Sequence, residues 1–360
     1  MRRTLLFAVL ALPAALLPVR AQPDSPKGGT FTWRFRVQEI DTTIKIGYAV
    51  TIADVNGDGK PDIVVVDTNE VVWYENPSWQ KRVIIKGQTK EDNVCIAAAD
   101  IDGDGQIDFA LGAGWLPGFR TKENATIQWL KRGKSLDQPW SVIHIGDEPM
   151  VHRMCFADLE GNGKLHLIVA PLMGRDSTRN GNWSDGRPVR ILDFPVPADP
   201  VNDRWTPRVL SESLQVVHAI TPVASTRRKG FDVLAASYEG VSRIAPLGSM
   251  LDKWGAKLIG AGNQEAATGA RGSSEVQAGK LRSGAQFLAT IEPWHGNQVV
   301  IYSAPDSPDK LWDRDLKDSR LHWGHAIACA DLDGDGNDDV IVGVRDDPRP
   351  NDSFNDRRGV

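Results

Sequence analysis

A nine-residue pattern rich in aspartate recurs intact three times, and each copy runs straight into an apolar segment. The copies are DVNGDGKPD from Asp54 to Asp62, DIDGDGQID from Asp100 to Asp108 and DLDGDGNDD from Asp331 to Asp339. Side chains that offer oxygen stand at the first, third, fifth and ninth positions: Asp54, Asn56, Asp58 and Asp62; Asp100, Asp102, Asp104 and Asp108; Asp331, Asp333, Asp335 and Asp339. Glycines at the fourth and sixth positions let the backbone fold tightly around a hard cation. Many oxygens in a flexible arrangement is the coordination that Ca²⁺ takes, so calcium is the expected cofactor.

The pattern resembles the first nine positions of an EF-hand loop, but the twelfth position, where that loop needs a bidentate Glu, is Val65, Leu111 or Val342. The segments that follow, Ile63 to Val66, Phe109 to Leu111 and Val340 to Val344, are β-branched and apolar and read as strands. Each loop is therefore expected to be a metal-filled turn between two strands.

A second recurrence lies out of phase with the first. Trp79, Trp140, Trp205, Trp254 and Trp312 each precede a short strand-like segment, at separations of 61, 65, 49 and 58 residues. These tryptophans are expected to pack between units. One unit reads as four strands, for example Val94–Ala99, Phe109–Leu111, Ile127–Leu130 and Ser141–Ile145, without helical periodicity between them. Four-stranded units at this period predict an all-β protein, a β-propeller of six blades, or seven if the chain is truncated.

The repeats resemble the FG-GAP or VCBS type, and the resemblance implies calcium loops that join the first two strands of a blade. The third copy, DLEGNGKLH, carries Glu160, Asn162 and His166 at ligand positions, and the fourth and fifth loops have decayed to STRRKGFD and LRSGAQF, where no calcium is expected. Thr32 to Val37 matches the outer strand after each repeated Trp and would complete the last blade. That blade has two strands and then stops at Val360, which reads as truncation. The expected organisation is a signal peptide over 1–21, with Arg2 and Arg3, an apolar run and a cut after Ala21; a linker over 22–30; and the propeller over 31–360. Such a chain would be exported, secreted or periplasmic, without a membrane span and monomeric. A net charge of −5 gives no reason to expect nucleic acid. Cys95, Cys155 and Cys329 all precede a calcium-type loop, and an odd number without metal spacing favours packing over a disulfide.

The functional face follows from the blade plan. Calcium loops lie at the bottom, while the starts of the inner strands and the loops between second and third strands share the top. Six residues before the first Asp of a loop stand His152 and His325, and the same count in the fourth unit gives His218. The fifth unit offers Glu275. Long top loops bring Trp183, Arg187 and Arg345, and His295 occupies the matching loop of the fifth unit. Imidazoles, a carboxylate, guanidiniums and indoles at a channel mouth suit a carbohydrate or other polar small ligand, with Glu275, Trp183, Arg187 and His295 as binding residues.

Two functions compete. One is a ligand-binding or scaffold module, whose partner is a carbohydrate or a cell-surface protein. The other is an enzyme: Gly324 to Asp347 resembles the propeller part of aldos-2-ulose dehydratases, which implies a carbon–oxygen lyase acting on a keto sugar. Elimination β to a carbonyl needs a base, an acid and a cation for the enolate. His152, His218 and His325 could serve as acid and base or hold a transition metal, and Arg345 could supply the cation.

Overall fold

The structure is a computed structural model that describes residues 36–115, 123–180, 183–248, 251–266 and 270–344. The chain divides into two units at Thr42/Thr43. Residues 36–42 of the first unit carry no strand, and the proposed signal peptide, the linker and most of the segment expected to close the last blade lie outside the described residues.

The second unit contains twenty-two strands and, among the described residues, no helix. Blade one is β1 (Ala49–Ala53), β2 (Asp62–Asp67), β3 (Glu70–Glu75) and β4 (Gln80–Lys86). Blade two is β5 (Asn93–Ala99), β6 (Asp108–Ala113), β7 (Ala125–Lys131) and β8 (Ser141–Glu148). Blade three is β9 (Val151–Ala157), β10 (His166–Pro171), β11 (Val189–Pro195) and β12 (Arg208–Leu214). Blade four is β13 (Ala219–Ala224), β14 (Phe231–Ser237), β15 (Gly240–Pro246) and β16 (Trp254–Gly260). Blade five is β17 (Glu275–Lys280), β18 (Gln286–Glu292), β19 (Gln298–Ser303) and β20 (Asp313–Asp318). The sixth sheet holds only β21 (Gly324–Ala330) and β22 (Asp339–Val344). Within each sheet consecutive strands pair antiparallel. The inner strands β1, β5, β9, β13, β17 and β21 follow one another in contact.

Second and third strands are covered on both faces by neighbouring blades, so β2 (DIVVVD), β10 (HLIVAP) and β14 (FDVLAAS) are almost continuously apolar and buried. Outer strands meet solvent on one side and show mixed burial, as in β4 and β8. The ends of the arc are less covered: Val50 and Ile52 of β1 are 62% and 57% exposed, and β22 is half-buried throughout.

Four of the five repeated tryptophans, Trp140, Trp205, Trp254 and Trp312, pack between blades, whereas Trp79 of the first blade is half-buried and joins no such cluster. Trp140 is buried against Phe109, ring centroids 5.5 Å apart, and its backbone N–H donates to Ile84 O of blade one at 3.4 Å. Trp312 N–H donates to Ile259 O of blade four at 2.7 Å. The three cysteines are free thiols, and burial pushes Cys95 and Cys155 up to about 12, which leaves them inert.

The aspartate loops cap the β1–β2, β5–β6 and β21–β22 turns, closed by the pairs Ala53/Asp62, Ala99/Asp108 and Ala330/Asp339. Their glycines hold φ between +75° and +89°, the left-handed region that favours glycine. The corresponding loops of blades three and four are each held by an arginine. In blade three, His166 Nδ1 meets Asp193 Oδ1 at 2.9 Å, and Arg208 joins Asp193 to Glu160 at 2.6 and 2.9 Å. In blade four, Arg228 binds Asp232 Oδ1 at 2.9 Å and donates to the carbonyls of Leu159, Lys229 and Phe231. Asp232 is 3% exposed, and without Arg228 its nearest cation is Arg243 at 3.7 Å. Arg228→Met is expected to cost about 2–4 kcal/mol, because it leaves a buried carboxylate and several carbonyls underpaired. Melting curves with and without chelator check this: the deficit persists in chelator, and a deficit seen only with calcium present would refute the assignment.

Candidate functional site

Three of the inner strands, β5, β9 and β21, share an irregularity near their starts. In β9 the register steps from Ala170/Arg153 to Pro171/Val151, which leaves His152 as the extra residue of a bulge. In β21 the step from Ala326/Gly343 to Gly324/Val344 does the same for His325, and Val94 stands there in β5. Bulges re-aim side chains. Because the bulge breaks strict alternation, Arg153 stands on the same side as His152. Nothing in the sequence periodicity announces Arg153, and only the bulge brings it in.

His218 precedes β13, Glu275 begins β17 and His295 comes from the β18–β19 loop. The ring centroid of His218 lies 4.8 Å from His152, 4.7 Å from His295 and 5.0 Å from His325, and His295 and His325 are 4.9 Å apart. His295 is held at φ +49°, a left-handed conformation costing a non-glycine residue about 1–3 kcal/mol. Gly296 follows it because a Cβ there would stand 2.3 Å from Glu292 O. Trp294 and Trp115 flank the cluster, with centroids 5.0 Å from His295 and 5.1 Å from His152.

Hydrogen bonds fix the protonation pattern. His218 is fully buried and its Nδ1 lies 3.1 Å from Ser274 O and 2.9 Å from Glu275 Oε1. A carbonyl only accepts, so Nδ1 carries the proton and Nε2 is left with its lone pair in the neutral ring. His295 Nε2 stands 2.9 Å from that nitrogen, so a proton on His295 or a cation must lie between them. One ligand atom each from His218, His295 and His325 lies within 4.8 Å of the others. Three imidazoles, one oriented by a carboxylate, fit a borderline transition metal.

At His152, Nε2 faces Arg153 Nη1 at 3.1 Å. A guanidinium only donates, so Nε2 accepts and the proton sits on Nδ1, which is buried without a hydrogen-bond partner. Burial, then the Arg153 charge and the neighbouring imidazoles, holds His152 well below the usual imidazole range. Burial raises Glu275 above the ordinary carboxylate range, against the pull of Arg153 and His325. Arg153 Nη2 reaches Glu275 Oε1 at 3.4 Å.

The depressed His152 predicts a pH dependence of stability. The unfolded chain takes up a proton on this residue below about pH 6.5 and the folded one does not, so stability present above that pH is lost as pH falls. The loss reaches at most about 1.4 kcal/mol per pH unit for one proton. Denaturant titrations in excess calcium between pH 7 and 5 are expected to slope less steeply for His152→Gln than for the parent. Parallel curves would contradict the assignment.

The other expected site residues separate. Trp183 is buried with Met150, Leu172, Met173 and Val216 and serves as core rather than as an open platform. Arg187 is exposed and lines a different cavity, because its loop folds back on itself at the Arg187 N–H to Arg175 O bond of 2.8 Å. Arg345 lies outside the described residues.

In the aspartate loops, carboxylate oxygens of Asp100, Asp102 and Asp104, and of Asp331, Asp333 and Asp335, gather within 4.8 Å. Asp54 and Asn56 hold the same turn in blade one, where Asp54 accepts from the backbone of Gly57, Asp58 and Gly59. The ninth aspartates brace the turn: Asp62 accepts from Val55 and Asn76, Asp108 from Arg132, and Asp339 from Leu332. In blade two, Asp100 Oδ1 and Asp108 Oδ2 are buried without partners, and Lys131 pairs with Asp102. Burial pushes Asp108 up to about 6. Orphaned carboxylate oxygens in a hard-donor loop fit a calcium ion.

No helix of the described residues is long and apolar enough to cross a membrane. Residues 54–111 match an FG-GAP-like repeat. Aldos-2-ulose dehydratase of Phanerodontia chrysosporium is 27% identical over 240 residues, covering 61% of this chain and 25% of that protein's length. Solved structures that the chain partly resembles include an Agrocybe aegerita lectin that recognises non-reducing terminal N-acetylglucosamine (TM-score 0.44, 13% identity, 76% of this chain and 65% of that one). Another is the PQQ-bound aldose sugar dehydrogenase of Streptomyces coelicolor (TM-score 0.43, 11% identity, 83% and 94%). The family described as aldos-2-ulose dehydratase, beta-propeller domain, matches residues 124–305, half of the chain, and takes in β7 through β19 with His152, His218, Glu275 and His295: this chain belongs to that family.

Proposed function

We propose that the histidine cluster is the site of a carbon–oxygen lyase acting on a keto sugar, in an exported propeller whose three intact aspartate loops hold calcium. The observation that carries this reading is a pairing within one cluster: a neutral imidazole whose buried Nδ1–H has no partner, beside a carboxyl group held above its usual range. Environments that push two groups apart in this way assign donor and base.

Glu275 takes the proton α to the carbonyl, and the electron pair moves onto the carbonyl oxygen, where His152 Nδ1–H and Arg153 receive the charge. As the pair returns, the hydroxyl on the β carbon departs with the proton from Glu275. Water and a carbon–carbon double bond form, and Glu275 is restored as carboxylate. A transition-metal ion held by His218, His295 and His325 would supply Lewis-acid polarisation of the same carbonyl. Trp294 and Trp115 give the sugar apolar faces to rest on, and they shield the site from water. Arg153 does what Arg345 is expected to do on sequence grounds.

The relative's alignment reaches only a quarter of that protein, so the activity is tested on this chain directly. Incubation with an aldos-2-ulose should produce the ultraviolet absorbance of a conjugated enone, and His152→Phe should lower kcat by about 10²–10³ with the fold intact. An unchanged sugar, or a variant as active as the parent, would refute the reading and leave a carbohydrate-binding or scaffold role.

A further inference from the structure

A polar cavity of about 180 Å³ lies where the end of β8 meets blade three. Its charged lining is Glu148, Arg175, Arg187, Arg190 and Glu212. None of the four histidines of the cluster lines it.

Local backbone geometry builds it. Between Val189/Leu214 and Ile191/Ser211 the β11–β12 register shifts, so Arg190 opposes both Glu212 and Ser213. This bulge falls where Arg190 and Glu212 line the cavity, and bulges re-aim side chains. On the opposite side, the β10–β11 loop closes at Gly174, where a Cβ would stand 1.6 Å from Arg187 O, which keeps Arg175 and Arg187 adjacent.

Glu148 is 4% exposed. It meets Arg190 Nη1 at 3.2 Å and Arg175 Nη2 at 3.4 Å, both through the single oxygen Oε2. That hold is looser than the bidentate clamp of which an arginine and a carboxylate are capable. Arg187 is tethered only loosely, at 3.7 Å, to Asp176. Three guanidiniums against two carboxylates leave one net positive charge in the lining. A dianion would be repelled by the two carboxylates, whereas a monoanion that also carries hydroxyls could engage both kinds of group. The volume lies below the roughly 300 Å³ at which cavities for drug-sized ligands begin, which limits the occupant to about one monosaccharide.

We propose that this cavity binds a sugar acid, the carboxylate meeting Arg175, Arg187 and Arg190 and the hydroxyls donating to Glu148 and Glu212. The site is independent of the histidine cluster and of the lyase reading.

Calorimetric titration of the full chain with D-glucuronate tests it, with glucose and inorganic phosphate as comparators. Saturable binding of glucuronate is expected, with glucose and phosphate each about tenfold weaker or more. R190Q should weaken glucuronate about tenfold. R187Q, at a side chain 72% exposed, should weaken it several-fold without any risk to folding. Three results would overturn the proposal: no saturable binding of glucuronate, phosphate binding as tightly as glucuronate, or binding that survives R187Q and R190Q and is lost in His152→Phe.

Discussion

Replacing Glu275 with Gln should lower kcat on an aldos-2-ulose by about 10³, within the span of general acid–base effects, while KM changes less. Gln keeps the shape of the side chain and an oxygen that can accept from His218 and Arg153, but it can neither take the α-proton nor return it. Glu275 is 9% exposed and reaches across to Arg153, and burial holds its carboxyl above the ordinary range, which strengthens it as a base at neutral pH. Glu275→Asp should recover part of the rate. A purely structural role would instead lower stability without this pattern, so steady-state kinetics and a melting curve on each variant distinguish the two. A Gln variant with parental kcat would remove Glu275 from the chemistry.

Removing calcium should produce the largest change in stability. A ligand bound only by the folded chain at about a hundred times its dissociation constant adds about 2.7 kcal/mol per site, and three loops act independently because they sit in blades one, two and six. Chelation is therefore expected to lower the melting temperature by roughly 10 °C or more. The loops of blades three and four should contribute nothing to the difference, since Arg208 and Arg228 already stand among their acceptors. Scanning calorimetry with metal content measured on the same samples checks this. An unchanged curve with the metal shown to be gone would refute calcium as the element that pins these turns.

Much of the architecture was written in local pattern. Val94–Ala99 and Ser141–Ile145 fall within β5 and β8, because each aspartate loop must sit between two strands and each repeated tryptophan must sit before an outer one. Counting back from the loops also finds His152 and His325 at equivalent bulges, since the inner strand has fixed length between its loop and the channel mouth. Other features depend on contacts distant in sequence. Arg153 lies 122 residues from Glu275, and strict alternation would send it to the far face. The separation of Arg187 and Trp183 follows from a loop that closes on itself at Gly174, where only the folded chain reveals how near Arg187 O comes. The ninth aspartates look equivalent to the other ligands in sequence, yet the fold turns them toward backbone N–H groups that no motif identifies.

In the proposed reaction this chain's own residues remove the proton α to a sugar carbonyl and expel the β-hydroxyl. The direct measurement is an NMR time course of the full chain with an aldos-2-ulose deuterated at C3, the carbon next to the ketone. Loss of the deuterium to solvent, a new C3=C4 double bond and a rate reduced by a primary isotope effect are expected. Sugar recovered unchanged, or a product that retains its deuterium at C3, would contradict it.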